Sequence, residues 1–287
     1  MRYNLLKWIL FISLSFIWGS SFILMKVSKQ GLTGSQIASL RIFAAGVVLI
    51  PFALAHHSKV PRKKLWLVFI AGLTGNLLPA YLYATAISHN LDSSLAGILN
   101  SLTPIFVVII GVLFFKDYVQ RRKIIGVLAG FAGLCLLFLH DTSHIENIKF
   151  GSLILLATII YGININVVSH TLPGIKPLHI ATVSVAMMTL PAGLLLWYHD
   201  FFRLSFSDPV IRRSVFMSCL LGIGGSAIAT MLFYLLVKKA GGLFASLVAY
   251  GIPFIALLWG VIYGENITVY QVAGLGIILV GVYLANK

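Results

Sequence analysis

Long apolar runs separated by short polar gaps organise the whole chain. Ten of them are long enough to cross a bilayer: 8–27, 36–55, 65–87, 93–115, 122–140, 150–170, 178–198, 214–237, 243–263 and 268–286. A spanning helix needs about 20 apolar residues at about 1.5 Å rise each. In lipid each segment must satisfy its own backbone hydrogen bonds, which a helix does. The longest gaps are 199–213 and 141–149, too short to hold a folded soluble domain. The pattern predicts an all-α integral membrane protein of ten transmembrane helices. The first run follows Lys7 in the manner of a signal peptide, but it is long and no A-x-A site follows, so it reads as an uncleaved first span.

Within these runs the polar residues recur at helical spacing. One stripe carries Ser15, Trp18, Gly19 and Lys26, and another Gly72, Asn76, Pro79 and Tyr83. Ser93, Gly97, Asn100, Pro104 and Gly111 form a third, and Gly162 aligns with Asn166. In the late spans Gly222, Ser226, Thr230 and Tyr234 align, as do Ser246, Tyr250, Pro253 and Gly260. Polar atoms at membrane depth avoid lipid, so these stripes point inward. Inward leaves two readings open. Small residues let helices pack closely, and polar ones bond across the contact. The same residues could instead line a cavity.

The chain also repeats itself. Residues 93–117, "SSLAGILNSLTPIFVVIIGVLFFKD", pair with 242–265, "GLFASLVAYGIPFIALLWGVIYGE". Ala96, Pro104 and Gly111 meet Ala245, Pro253 and Gly260; after a one-residue slip Asp117, Gly126 and Gly133 meet Glu265, Gly274 and Gly281. Upstream, Trp18–Gly19 meets Tyr161–Gly162. The expected organisation is two five-helix repeats, 1–141 and 142–287. Five is odd, so the second repeat enters the membrane inverted. Inverted repeats are a transporter architecture, with the substrate site near the midplane between the halves.

Composition agrees. Of 287 residues 59% are hydrophobic and 10% charged, and mean hydropathy is +0.99; a soluble domain carries about 25% charged residues. The formal charge of +14 lies in loops, as at 59–64 and 121–123. That is the pattern of topology signals and anionic-lipid contacts, not of nucleic-acid binding. Most loop Lys and Arg fall on the side of the N-terminus; the other side holds Lys26, Lys29, Lys149, Arg203, Arg212 and Arg213. Both termini are therefore read as cytoplasmic. Cys135 and Cys219 lie inside apolar runs with no metal spacing.

With ten spans, the duplication, "WGSSFILMK" (18–26), "SLR" (39–41), the P…G…D/E pattern of each half and the glycine-rich fifth and tenth spans, the sequence resembles the drug/metabolite transporter superfamily, EamA-type. The resemblance covers essentially the whole chain. It implies an alternating-access carrier in the cytoplasmic membrane, often an exporter of amino acids or other metabolites. It also implies a cavity among spans 1–4 and 6–9, with spans 5 and 10 to one side. The chain departs from the pattern at Lys116, and at Ser184, where the second half has no counterpart of Arg41.

The candidate substrate-binding residues are Trp18, Lys26, Arg41, Asn76, Tyr83, Asn100, Asn166, Tyr234 and Tyr250. Asparagine amides offer donors and an acceptor without charge, and aromatic rings wall a cavity or simply pack. Lys26 and Arg41 either snorkel to headgroups or form a cationic mouth for a carboxylate or another anion. Pro79, Pro104 and Pro253 are candidate hinges, or fixed kinks. Asp117 and Glu265 read as anions at helix starts, and His89, His170 and His179 as loop residues. No Asp or Glu lies mid-span. No cofactor or metal is expected. Without HExxH, GxSxG or paired embedded aspartates the chain is read as no enzyme. The expected partners are a small-molecule substrate and the lipid bilayer. Gly126–Gly130 is a GxxxG packing face and a candidate homodimer contact. The alternatives to a carrier are a channel-like facilitator and a non-transporting scaffold.

Overall fold

The computed structural model describes residues 2–89, 99–138, 148–262 and 269–286. They form helices α1 (Arg2–Ser28), α2 (Gly34–His56), α3 (Arg62–Ser88), α4 (Thr103–Phe115), α5 (Arg121–Phe138), α6 (Phe150–Thr171), α7 (Pro177–Tyr198), α8 (Pro209–Ala240), α9 (Val248–Ile262) and α10 (Val269–Asn286). A short helical turn, Gly242–Ser246, leads into α9. Among the described residues α1, α2, α3, α6, α7 and α8 are each long and apolar enough to cross a membrane. Thr103–Phe115, Gly242–Ile255 and Val272–Ala285 are apolar but shorter. Residues 93–98 of the fourth expected span, 139–140 of the fifth, 263 of the ninth and 268 of the tenth lie outside the described residues, as do Glu265 and the 141/142 repeat boundary.

Large side chains such as Leu54, Leu113, Phe114, Leu190 and Trp197 face outward. This suits lipid, where apolar surface costs nothing to expose. The core is built where small residues let backbones approach. Helix α2 buries Ile37, Ala38, Ser39, Ile42 and Ala45 against α7, α3 and α8. A Thr33–Gln36 capping box starts it: Thr33 accepts from the Gln36 N–H and the Gln36 side chain accepts from the Thr33 N–H.

Helices α5 and α10 form a separate pair. A Cβ on Gly133 would stand 2.8 Å from the Gly274 oxygen, and one on Gly126 or Gly281 would overlap the facing backbone. The Gly126–Gly130 face is thus covered from within the chain by α10 and by Tyr250. This is the packing reading of the motif: the close approach it permits is used between α5, α10 and Tyr250.

Candidate functional site

A cavity of about 150 Å3 opens between α1, α2, α3, α4, α6, α8 and α9. A water needs roughly 10–15 Å3 measured this way, so there is room for a small metabolite. Helix α1 contributes Trp18, Ser21 and Met25, and α2 contributes Arg41. Gly75, Asn76 and Tyr83 come from α3, Asn100 and Thr103 from the start of α4, and Tyr161 and Asn164 from α6. Gly225, Thr230, Phe233 and Tyr234 line it from α8.

Two of these helices widen where they meet the cavity. In α3 residues Leu73–Leu77 are π-helical, with the Leu78 N–H reaching back five residues to the Leu73 oxygen. In α8 Leu221–Ile228 does the same. Such turns loosen the ladder and offer carbonyls to side chains. Around α3 the Ala71 carbonyl accepts from Asn164 Nδ2 (2.8 Å) and from the Tyr234 hydroxyl (3.2 Å). Around α8 the Gly225 carbonyl accepts from Trp18 Nε1 (3.0 Å). Thr230 Oγ1 donates to Asn76 Oδ1 at 2.9 Å. These bonds tie α1, α3, α6 and α8 together through side chains at the cavity wall. Pro79 lies six residues beyond the start of the α3 π turn; it has no N–H to return to Gly75, which favours the wider turn.

Arg41 supplies the charge. Its Nε and Nη2 donate to Ser226 Oγ at 3.2 and 3.1 Å, a neutral partner. Among the described residues no Asp or Glu lines the cavity. Two buried polar atoms at this wall have no hydrogen-bond partner among the described residues, Asn76 Nδ2 and the Tyr83 hydroxyl. Rings cover much of the remainder: Trp18 lies 5.3 Å from Phe233 and Tyr83 6.5 Å from Tyr161, centroid to centroid.

Of the sequence candidates, Trp18, Arg41, Asn76, Tyr83, Asn100 and Tyr234 come together at this cavity. Three lie elsewhere. Lys26 is exposed near the end of α1. Asn166 is buried, and its Nδ2 donates to the Val107 oxygen (3.1 Å) and the Gly162 oxygen (2.9 Å), which fastens α4 to α6. Tyr250 is buried, and its hydroxyl donates to the Val127 oxygen at 2.8 Å, which fastens α9 to α5. Tyr250→Phe is therefore expected to lower the apparent melting temperature by about 2–5 °C while leaving ligand affinity within about twofold. A loss of affinity without a loss of stability would return Tyr250 to the site. Among the hinge candidates Pro79 follows the π turn, Pro104 opens α4 and Pro253 sits inside α9. None of the three lines the cavity.

Sequence reasoning missed Tyr161, Asn164, Thr103 and Phe233. A signal existed for Asn164: the alignment that pairs Trp18 with Tyr161 also pairs Ser21 with Asn164, and all four line the cavity. It also misjudged Asp117. Asp117 lies four residues before the first residue of α5 and accepts from His170 Nε2 at 2.9 Å. His170 in turn stacks on Phe115 at 4.5 Å. The pair joins the end of α4 to the end of α6, a contact between positions 53 residues apart that spacing cannot reveal.

Comparison with known proteins places this site in context. The EamA-like transporter family matches residues 6–139 and again 150–287. An uncharacterized transporter of Archaeoglobus fulgidus is 25% identical over 98% of this chain and 99% of its own. The uncharacterized inner membrane transporter YedA of Escherichia coli is 26% identical over 96% of this chain and 88% of its own. The uncharacterized transporter YoaV of Bacillus subtilis is 23% identical over 95% of this chain and 94% of its own. A crystal structure at 18% identity superposes with a TM-score of 0.72, covering 96% of this chain and 95% of its own, and shares the fold. These matches point away from an enzyme. The chain is a multi-pass membrane protein and belongs to the EamA-like transporter family, within the drug/metabolite transporter superfamily.

Proposed function

We propose that the chain is a secondary transporter that exports a small metabolite, an amino acid or similar, across the cytoplasmic membrane by alternating access. In this reading it has ten spans in two inverted halves, 1–141 and 142–287, with both termini cytoplasmic. The observation that carries it is the cavity lined by matched elements of both halves.

Packing supports the inverted halves. Helix α1 lies on α9 as α6 lies on α4, and α1 lies on α8 as α6 lies on α3, while α2 meets α7 and α5 meets α10. Individual residues repeat the relation. Gly19 is pressed against Ile255, and Gly162 against Phe106. A Cβ on Gly222 would overlap the Arg41 carbonyl oxygen, and one on Gly72 the Ser184 carbonyl oxygen. Ser184 is the position that the alignment sets against Arg41. Two structurally similar halves around one site have two equivalent ways to rock against each other.

On the side of the N-terminus, the ends of the helices are bound together. Lys64 Nζ donates to the Thr171 oxygen (3.0 Å) and Lys238 Nζ to the Leu172 oxygen (2.6 Å), both at the C-terminal end of α6 where the dipole favours cations. Trp8, Phe11 and Phe244 pack edge to face nearby. These are contacts that opening toward that side breaks.

Counterflow in proteoliposomes tests the reading. Hits from a metabolite thermal-shift screen are expected to give saturable, trans-stimulated flux. Asn100→Ala, at the cavity wall, should lower that flux by about fivefold with the yield of folded protein intact. Unsaturable flux without counterflow would indicate a channel-like facilitator and overturn alternating access. Right-side-out and inverted vesicles then give the direction.

A further inference from the structure

The cavity wall presents hydrogen-bond donors that the described residues leave unspent. Arg41 brings a permanent positive charge whose described hydrogen bonds both go to Ser226 Oγ. A guanidinium carries five N–H donors in a planar fork suited to a carboxylate. The ion pairs found among the described residues, His170–Asp117 and Arg203–Asp200, do not include Arg41. A cation at membrane depth without a counter-charge is costly, and such residues mark substrate or ion pathways.

The neutral groups point the same way. Asn76 is 7% exposed. Its oxygen is already taken by Thr230, while its Nδ2 has no acceptor among the described residues. The Tyr83 hydroxyl is likewise buried without a partner among the described residues. Two backbone acceptors beside the wall are spent, Ala71 on Asn164 and Tyr234 and Gly225 on Trp18. A ligand's carboxylate would find a cation and two waiting donors. A ligand's ammonium would find no carboxylate among the described lining residues. The paired rings of Trp18 with Phe233 and Tyr83 with Tyr161 provide flat apolar surface for the rest of the molecule.

We propose that this cavity selects a small organic monoanion, a carboxylate on an apolar body, with its charged group held by Arg41, Asn76 and Tyr83, and discriminates against the same skeleton carrying an ammonium. The inference rests on reading the cavity as the transport site; within the small metabolites of that reading it turns from amino acids to carboxylates of similar skeleton that lack the ammonium.

Two matched series isolate charge from shape: isocaproate, leucine and isoamylamine; hydrocinnamate, phenylalanine and phenethylamine. Titration calorimetry on the purified full chain in nanodiscs reads binding without requiring flux. In at least one series the carboxylate is expected to bind about tenfold tighter than its amino acid, with no binding of the amine. Arg41→Gln should weaken the carboxylate by about tenfold or more. Arg41→Lys keeps the charge but loses the fork and should fall between the two. Tyr83→Phe removes one donor and should cost about fivefold without changing the charge preference.

An amino acid or amine binding as tightly as its carboxylate overturns the proposal, as does absence of carboxylate binding in both series. So does wild-type carboxylate affinity in Arg41→Gln. If that variant does not fold, wild-type affinity in both Arg41→Lys and Tyr83→Phe overturns it instead. Counterflow of the same compounds separates the two claims. Selective binding of a carboxylate that is never carried sinks the transporter reading alone; transport that favours the amino acids sinks only the selectivity.

Discussion

Replacing Gly222 with alanine is expected to lower the apparent melting temperature of the purified protein by about 5–10 °C and flux by about tenfold. The added Cβ would overlap the Arg41 carbonyl oxygen and come within 2.9 and 3.0 Å of the Arg41 carbonyl carbon and Cα. All three are backbone atoms, so no side chain can swing away; α8 and α2 must separate. Overpacking of this kind costs about 1–3 kcal/mol. The displacement also acts on function, because Arg41 is held through Ser226, four residues along the same π-helical stretch. Gly224 provides the control. It lies in that stretch with nothing within 4 Å of an added Cβ, so Gly224→Ala should stay within about 0.5 kcal/mol of the parent. Equal melting temperatures for the two variants would show that α2 and α8 do not approach through Gly222.

The second large effect is expected at Asn164. This side chain is 2% exposed. Its Nδ2 donates to the Ala71 oxygen and lies 3.1 Å from Thr74 Oγ1 and 3.3 Å from the Tyr234 hydroxyl. It joins α6 to α3 and, through Tyr234, to α8. Asn164→Leu keeps the number and branching of the side-chain heavy atoms and removes the donors, at a cost of about 2–3 kcal/mol. Flux should fall about tenfold or more, because the same residue lines the cavity. Tyr234→Phe alone should cost less, since Asn164 still satisfies Ala71. A double-mutant cycle between the two is expected to show a coupling of about 1 kcal/mol. Additivity within about 0.3 kcal/mol would mean that the three helices are not joined through this pair.

Much of the cavity was legible because its chemistry is unusual for its surroundings. In a hydrophobic segment an arginine, an asparagine or a tryptophan beside a glycine stands out, and Arg41, Asn76, Asn100 and Trp18 do meet in space. The failures are of register. Asn164 and Asn166 are two positions apart on one helix, so they face nearly opposite ways. One lines the cavity and the other fastens α4 to α6. The motif at Gly162 favoured the wrong one. Tyr250 fell to the same difficulty: an aromatic at helical phase with its neighbours faces inward in either reading, and inward here means α5.

What the sequence by itself determined is the helical class, the expected placement of spans along the chain and the internal pairing of Trp18–Gly19 with Tyr161–Gly162. These follow from local rules: a bilayer demands contiguous apolar length and closed backbone bonding. Where the helices widen was decided largely by the tertiary structure: Pro79 assists the turn in α3, but "LGIGGSAI" in α8 carries no local mark of one. The turn is stable because Asn164, Tyr234 and Trp18, from helices distant in sequence, take up carbonyls beside it. Tertiary packing also set Asp117 against His170 and left Arg41 facing open space with a neutral partner. Each depends on which faces meet, and that is fixed by backbone approach at glycines rather than by apolar content.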